Sequence, residues 1–325
     1  MNTAGSRSGW NDVQKSLSGV VVAAVTPFLP DGAIDGVSFD RHVQALLSRP
    51  TVSGVLVNGN AGEVLALTGQ EREEVVRRAA VIGRELGKPV FSGIPANAPW
   101  EARELIAAAR RGGASACLLY PAPAWGAGRP AGAAEAYVRE VAAGANIDLI
   151  LFQFPFGRGD LSYESSTLAR LAAIPGVVAI KNSVWEVARF ERDLLAVRAA
   201  APGVKMITGC DEHVLYTILA GADGAILSLS ALCPDTVAQM LTAAREDDLK
   251  TARAAHQAAW PLVERLFAAA PKPQRRVRIK AALVGLGHID HATVRSPLVA
   301  LTTEELAEIE RFVRADSLAG AVLKV

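Results

Sequence analysis

The sequence is poor in cysteine and in aromatic residues, has no excess of either charge and contains no long apolar run. Its 325 residues include three cysteines, Cys117, Cys210 and Cys233, which are far apart and odd in number. That argues against a disulfide framework and fits a reduced, cytoplasmic compartment. Lys and Arg total 34 against 33 Asp and Glu, a formal charge of +1. A binder of nucleic acid or of an anionic membrane would carry a basic excess or patch, so neither partner is expected. No uninterrupted apolar stretch reaches the roughly 18–20 residues of a membrane span. The first residues, Met1 to Gly19, are polar and lack the basic-then-apolar order of a signal peptide. Residues 1–17 are read as a flexible arm. With 6% aromatic residues and abundant Ala, Val and Leu, the composition describes a helix-rich globule better than a β-sandwich. The chain is long enough to bury a sizeable core without disulfides or a structural metal.

What is present is a repeated alternation of short apolar runs with helical stretches. Candidate strands are Gly19–Thr26, Gly54–Asn58, Pro89–Ile94, Ala116–Tyr120, Asp148–Phe152, Val177–Ile180, Lys205–Thr208 and Gly224–Leu227. Each is apolar almost throughout, as a strand buried on both faces reads. Segments such as Glu71–Leu86, Glu101–Arg110 and Glu186–Ala199 carry apolar residues at helical spacing. Alternation of this kind implies a parallel sheet covered by helices. Eight such units over residues 18–247 match the size of a closed (β/α)8 TIM barrel, typically about 250 residues. A doubly wound open sheet is disfavoured, because no strand is followed by a Gly-x-Gly-x-x-Gly turn. Residues 248–325 show no strand signal; Leu249–Phe267, Arg275–Leu286 and Thr303–Ala315 read as helices of a C-terminal all-helical region.

In such a barrel chemistry sits at the carboxyl ends of the strands, so the polar residues that end strands are the candidates. Lys181 closes the run Gly176–Ile180, which aims its amine into the barrel mouth. Burial there lowers a lysine's pKa, and a neutral amine can attack a carbonyl to form a Schiff base. The turn Asn58–Glu63, containing Gly59, Asn60, Ala61 and Gly62, offers backbone N–H groups to a carboxylate. Tyr120 ends the fourth strand and Gln153 the fifth. Gln153 is expected to orient a water or substrate hydroxyl. Glu63 is expected to cap the helix after the turn, and Asp211, Glu212 and His213 to start the seventh helix. His288 and His291 flank Asp290 at a superficially metal-like spacing but lack the ligand pattern of a metal site, and no metal is expected.

These motifs together resemble the dihydrodipicolinate synthase/N-acetylneuraminate lyase family of class I aldolases. The matching segments are Val25-Thr26-Pro27-Phe28, Gly59–Glu63 with Leu67-Thr68 and Glu71-Arg72, Phe152–Pro155, Ala179–Asn182, Thr208-Gly209 and Gly221–Ile226. The tail motifs from Lys280 to Leu298 are similar as well, so the resemblance spans about residues 18–315. It implies a lyase that forms a Schiff base through Lys181 with pyruvate or another 2-oxo acid. It also implies substrate contacts from Thr26, Gly59, Asn60, Ala61, Gly62, Gln153 and Ile226, no further cofactor, and a homotetramer or homodimer.

The departures are specific. The family's turn usually carries two threonines where this chain has Asn60 and Ala61. Phe152 stands at the position of the family's proton-shuttling tyrosine, and Tyr120-Pro-Ala-Pro123 replaces a motif ending in paired tyrosines. Arg158 lies near the place of the synthase's aldehyde-gripping arginine. Tyr120 is then the nearest candidate proton carrier, and the loop Ala122–Gly132 shapes the pocket. The expected reaction is aldol cleavage or condensation, or dehydration, beside the iminium. Alternatives are 4-hydroxy-tetrahydrodipicolinate synthase proper, or a catalytically degenerate barrel that binds an oxo acid or sugar acid.

Overall fold

The computed structural model describes residues 13–155, 157, 159–315, 318 and 320–323. Among these, eight parallel strands close into a barrel. They are β1 (Val20–Ala23), β2 (Val52–Val57), β3 (Val90–Ile94), β4 (Ala116–Leu119), β5 (Asp148–Gln153), β6 (Val177–Asn182), β7 (Lys205–Thr208) and β8 (Gly224–Leu227). Each pairs with the next, and β8 closes on β1. The helices that follow them in turn are α1 (Gly36–Leu47), α2 (Gly69–Glu85), α3 (Pro99–Gly112), α4 (Ala133–Ala145), α5 (Ser165–Ala172), α6 (Val187–Ala200), α7 (Val214–Leu219) and α8 (Pro234–Arg245). The expected (β/α)8 barrel is therefore the architecture of this chain.

Successive side chains of a strand point to opposite faces. One set fills the barrel: Val21, Ala23, Leu56, Phe91, Leu118, Tyr120, Ile150, Phe152, Ala179, Ile207 and Ile226 form a single buried cluster. The alternate set, including Leu119, Leu149, Leu151 and Ile180, packs outward against helices. Across the rim of the barrel Phe152 is in register with Lys181, and Lys181 with Ile207, so these three share the inward face. Gln153, Asn182 and Thr208 occupy the next register positions and face outward.

Of the expected N-terminal arm, residues 1–12 lie outside the described residues. Residues 13–17 are helical, and Val13 and Leu17 are buried in the barrel-interior cluster, where they cover its lower end. After the barrel come α9 (Leu249–Leu262), α10 (Arg275–Gly285) and α11 (Thr303–Val313). The helix expected to run unbroken to Phe267 changes at Val263 to a wider π-helical turn that ends at Ala268. Pro261, inside α9, supplies no N–H and disturbs the regular ladder just before that point. α11 begins at Thr303 as expected, and Thr302 caps it; the Thr302 hydroxyl accepts from Glu305 N–H while the Glu305 carboxylate accepts from Thr302 N–H.

The C-terminal helices share the barrel's packing. Leu262, Leu266, Ile279, Leu283 and Ile309 belong to one buried cluster with Val214, Ala225, Leu227 and Leu232. No helix among the described residues is long and apolar enough to cross a membrane.

Candidate active site

A cavity of about 240 Å³ opens at the carboxyl ends of the strands, where the barrel rule places chemistry. Its wall includes Asn60 and Ala61 from the loop after β2, Tyr120, Phe152 and Lys181 from the barrel interior, and Ile226 from β8. Arg275, Arg276 and Ile279 of α10 complete it from the tail.

Lys181 is 7% exposed. Its nitrogen makes no hydrogen bond or ion pair among the described residues and lies 4.8 Å from the centre of the Phe152 ring. Burial brings its pKa down to about 8; the negative charge of Asp211 opposes the fall and the positive charge of Arg275 adds to it. Roughly a tenth of the amine is then uncharged at pH 7, and about half at pH 8. Gly209, after β7, lets the lysine stem pass: a Cβ there would come within 2.9 Å of Lys181 Cγ and Cε.

The loop after β2 is held from three sides. Thr26 Oγ1 donates to the Gly62 carbonyl at 3.0 Å. Asn58, in the left-handed region at φ 53°, donates from its side chain to Arg72 O and to Ser92 Oγ at 3.0 and 3.1 Å. Glu63, also left-handed at φ 54°, pairs with Lys280 of α10 at 2.5 Å and accepts from Arg295 N–H at 3.1 Å. It makes no helix cap, contrary to expectation: its left-handed backbone turns the carboxylate away from the following 3₁₀ turn and toward the tail. Arg295 itself grips Glu71 through two N–H groups at 2.6 and 2.9 Å. The N–H groups of Ala61 and Gly62 find no acceptor among the described residues. A rigid turn with spare backbone donors is a ready carboxylate cradle.

Tyr120 stacks edge-on against Phe152, ring centres 5.0 Å apart, and against Phe154 at 5.9 Å. Its hydroxyl is buried, faces the Asn60 N–H and the Arg276 side chain, and closes no hydrogen bond among the described residues. Burial pushes its pKa well above the usual phenol value, which keeps it a proton donor across the physiological range. A buried donor without a partner is costly unless a ligand supplies one.

Gln153, expected at the substrate, is elsewhere. It is fully buried on the outer face of β5, where its side chain donates to Tyr163 O at 2.8 Å and Asp193 at 3.2 Å and accepts from Tyr163 N–H at 2.9 Å. Asp193 also accepts from Asn182, Ser165 and Arg189, so this network locks the β5 and β6 ends from outside. The reason is parity: a residue adjacent to inward-facing Phe152 must face out. Thr26, Gly59 and Gly62 likewise do not line the cavity; they shape the turn that does. Trp125, in the loop Ala122–Gly132, stacks on Tyr137 and Tyr163 and does not reach the cavity wall. Arg158 lies outside the described residues. His288 is buried beside His42, ring centres 6.1 Å apart, with Nε2 at 3.1 Å from Leu323 O.

Other wall residues were not anticipated. Asp211 and Glu212, expected to begin the seventh helix, precede it: α7 starts at Val214. Asp211 instead accepts from Leu229 N–H at 2.7 Å and Ser228 Oγ at 3.0 Å, and Glu212 pairs with Lys272. Arg275 and Arg276 carry no local sequence signal, since only the packing of α10 over the barrel brings them here.

Comparison with known proteins places this geometry. Residues 16–316 match the Dihydrodipicolinate synthetase family. A 4-hydroxy-tetrahydrodipicolinate synthase of Laribacter hongkongensis is 32% identical over 303 residues, covering 93% of this chain and 99% of the relative. Another from Nitrosomonas eutropha is 32% identical over 283 residues, covering 87% and 92%. The crystal structure of dihydrodipicolinate synthase from Thermotoga maritima superposes with a TM-score of 0.81 at 25% identity, covering 93% of this chain and 99% of its own. A prophage protein of the dihydrodipicolinic acid synthase family from E. coli K12, in complex with pyruvate, has the same fold, with a TM-score of 0.82 at 23% identity and coverage of 91% and 97%. With matched sequence running through the whole barrel and onto the tail helices, the chain belongs to the dihydrodipicolinate synthetase family of lyases.

Proposed function

We propose that this protein is a Schiff-base lyase in which Lys181 condenses with pyruvate or another 2-oxo acid. The observation that carries the reading is the amine of Lys181, inside the cavity without an ion-pair partner and with its pKa lowered to about 8. The substrate carboxylate takes the N–H of Ala61 at the cavity wall. The neutral amine then attacks the adjacent oxo carbon, and loss of water gives an iminium that withdraws electrons from the neighbouring bond. Tyr120, a buried phenol whose O–H finds no acceptor among the described residues, supplies the proton that the departing oxygen needs and recovers one as the product forms. The bond that reacts is C–C in an aldol step or C–O in a dehydration. Phe152 has no proton to exchange and walls the site instead.

No metal or organic cofactor enters this scheme, and the buried free cysteines fit a reducing, cytoplasmic setting. The missing phenol at position 152 speaks against the synthase reaction proper. A binder that has lost catalysis remains the second reading, favoured only by that same position.

The test is borohydride reduction of the full-length protein with each of a panel of 2-oxo acids, read by intact mass and peptide mapping. Reduction should fix one adduct, on Lys181. Absence of an adduct with every acid in the panel would overturn the assignment.

A further inference from the structure

We propose that Arg275, with Arg276 beside it, forms a subsite for a second carboxylate, so that the substrate is a 2-oxo diacid rather than a simple monoacid. This rests on the assignment of Lys181 as the imine-forming residue and names the substrate class of the same site.

Arg275 and Arg276 occupy the first two positions of α10 and line the cavity that holds Lys181. Arg275 makes no hydrogen bond or ion pair among the described residues, and it is half-buried rather than free in solvent. The nearest acidic charge is that of Asp211, whose field acts on Arg275 without a direct ion pair between them. Asp211 accepts from Ser228 and from Leu229 N–H, and Glu212 is taken by Lys272. The field of Arg275 reaches Lys181, and that of Arg276 reaches Tyr120, so both charges act within the reaction space.

The cavity therefore presents two anion-binding regions. One is the turn that brings the Ala61 N–H to the cavity wall, suited to the carboxylate next to the oxo group. The other is the guanidinium edge contributed by α10, whose planar fork suits a second carboxylate. A cavity of about 240 Å³ is far larger than the ~10–15 Å³ that one water needs, and leaves room beyond a three-carbon acid. A neutral chain in that space would leave Arg275 half-desolvated and opposed only by the field of Asp211, whereas a diacid supplies an anion that its N–H groups can bind directly.

The full-length protein should be titrated with two length-matched pairs under borohydride trapping: 2-oxoglutarate against 2-oxopentanoate, and 2-oxoadipate against 2-oxohexanoate. At least one diacid should half-saturate trapping at a tenfold lower concentration than its neutral partner. Arg275→Ala and Arg275→Gln should each abolish that ratio, and Arg275→Lys should restore part of it. Loss of Arg275 also raises the Lys181 pKa, but that effect slows both members of a pair equally and cancels in the ratio. Equal trapping of diacid and neutral partner by the native protein, or a ratio untouched in both Arg275 variants, overturns the subsite while leaving the Lys181 chemistry standing. Failure to trap any acid, pyruvate included, removes the chemistry and the subsite together.

Discussion

The nitrogen of Lys181 stands 4.8 Å from the centre of the Phe152 ring, and the two residues are register partners across β5 and β6. A group at position 152 is therefore in contact with the reacting amine, and here that group has no proton to give. On the proposed Schiff-base reading, proton transfer passes to Tyr120, whose ring packs edge-on against Phe152 at 5.0 Å.

That division of labour sets opposite outcomes for two single-atom changes. Tyr120→Phe should slow turnover by roughly 10²–10⁴-fold, the usual cost of losing a positioned acid or base. It should still allow slow trapping of the 2-oxo acid on Lys181. Phe152→Tyr adds a hydroxyl to a packed aromatic trio and should raise turnover by no more than about threefold or lower it. Steady-state kinetics on the two variants check this. A hundredfold gain from Phe152→Tyr would instead mean that the relay is missing altogether.

Imine formation should rise with pH through a midpoint near the lysine's value of about 8, because only the uncharged amine attacks. The same depression has a stability consequence of definite sign. Its folded pKa lies below the unfolded value of 10.5, so between the two the unfolded chain holds the extra proton. Stability is thus lost as pH falls from about 10.5 to about 8, and the loss is constant below that. Lys181→Met should abolish the adduct and stabilise the fold at pH 7 by up to on the order of 3 kcal/mol. The gain should vanish above about pH 10.5. Chemical denaturation at pH 7 and at high pH reads both arms.

Gly209→Ala offers a test of placement without touching a functional group. The new methyl would lie 2.3 Å from Ser183 Oγ and 2.9 Å from two carbons of Lys181. Both neighbours are side chains, so the barrel survives while the lysine shifts. Trapping should slow at least tenfold, since displacements of about 1 Å can cost about 10²-fold. Thermal stability should fall by only a few degrees.

Glu63 and Lys280 form an ion pair at 2.5 Å, with side chains 1% and 0% exposed. Removing one partner leaves the other charge buried. Lys280→Met should therefore destabilise the protein by about 3–5 kcal/mol. The double variant with Glu63→Gln should recover much of that loss, as a denaturation cycle would reveal.

The barrel is legible because each inner strand is apolar almost throughout and the count is eight. Lys181 is legible because it ends such a run. Strand periodicity, left out of account, misplaces Gln153: it follows an inward residue and so belongs to the outer network around Asp193. Asp211, Arg275 and Arg276 leave no mark in local sequence. They reach the cavity through a loop conformation and through the docking of a helix far away in the chain. Glu63 is misjudged for the same reason, since its partners Lys280 and Arg295 lie more than 200 residues away.

Because α10 contributes both the ion pair to Glu63 in the loop after β2 and a stretch of cavity wall, the proposed subsite would put reactivity and choosiness in separable lengths of polypeptide. On the proposed assignments the barrel and its rim carry the amine and the phenol, whereas the tail carries the cations that would select what enters. Swapping that one helix between relatives, with Lys280 retained, is then a direct route to altered substrate preference on an untouched reaction centre.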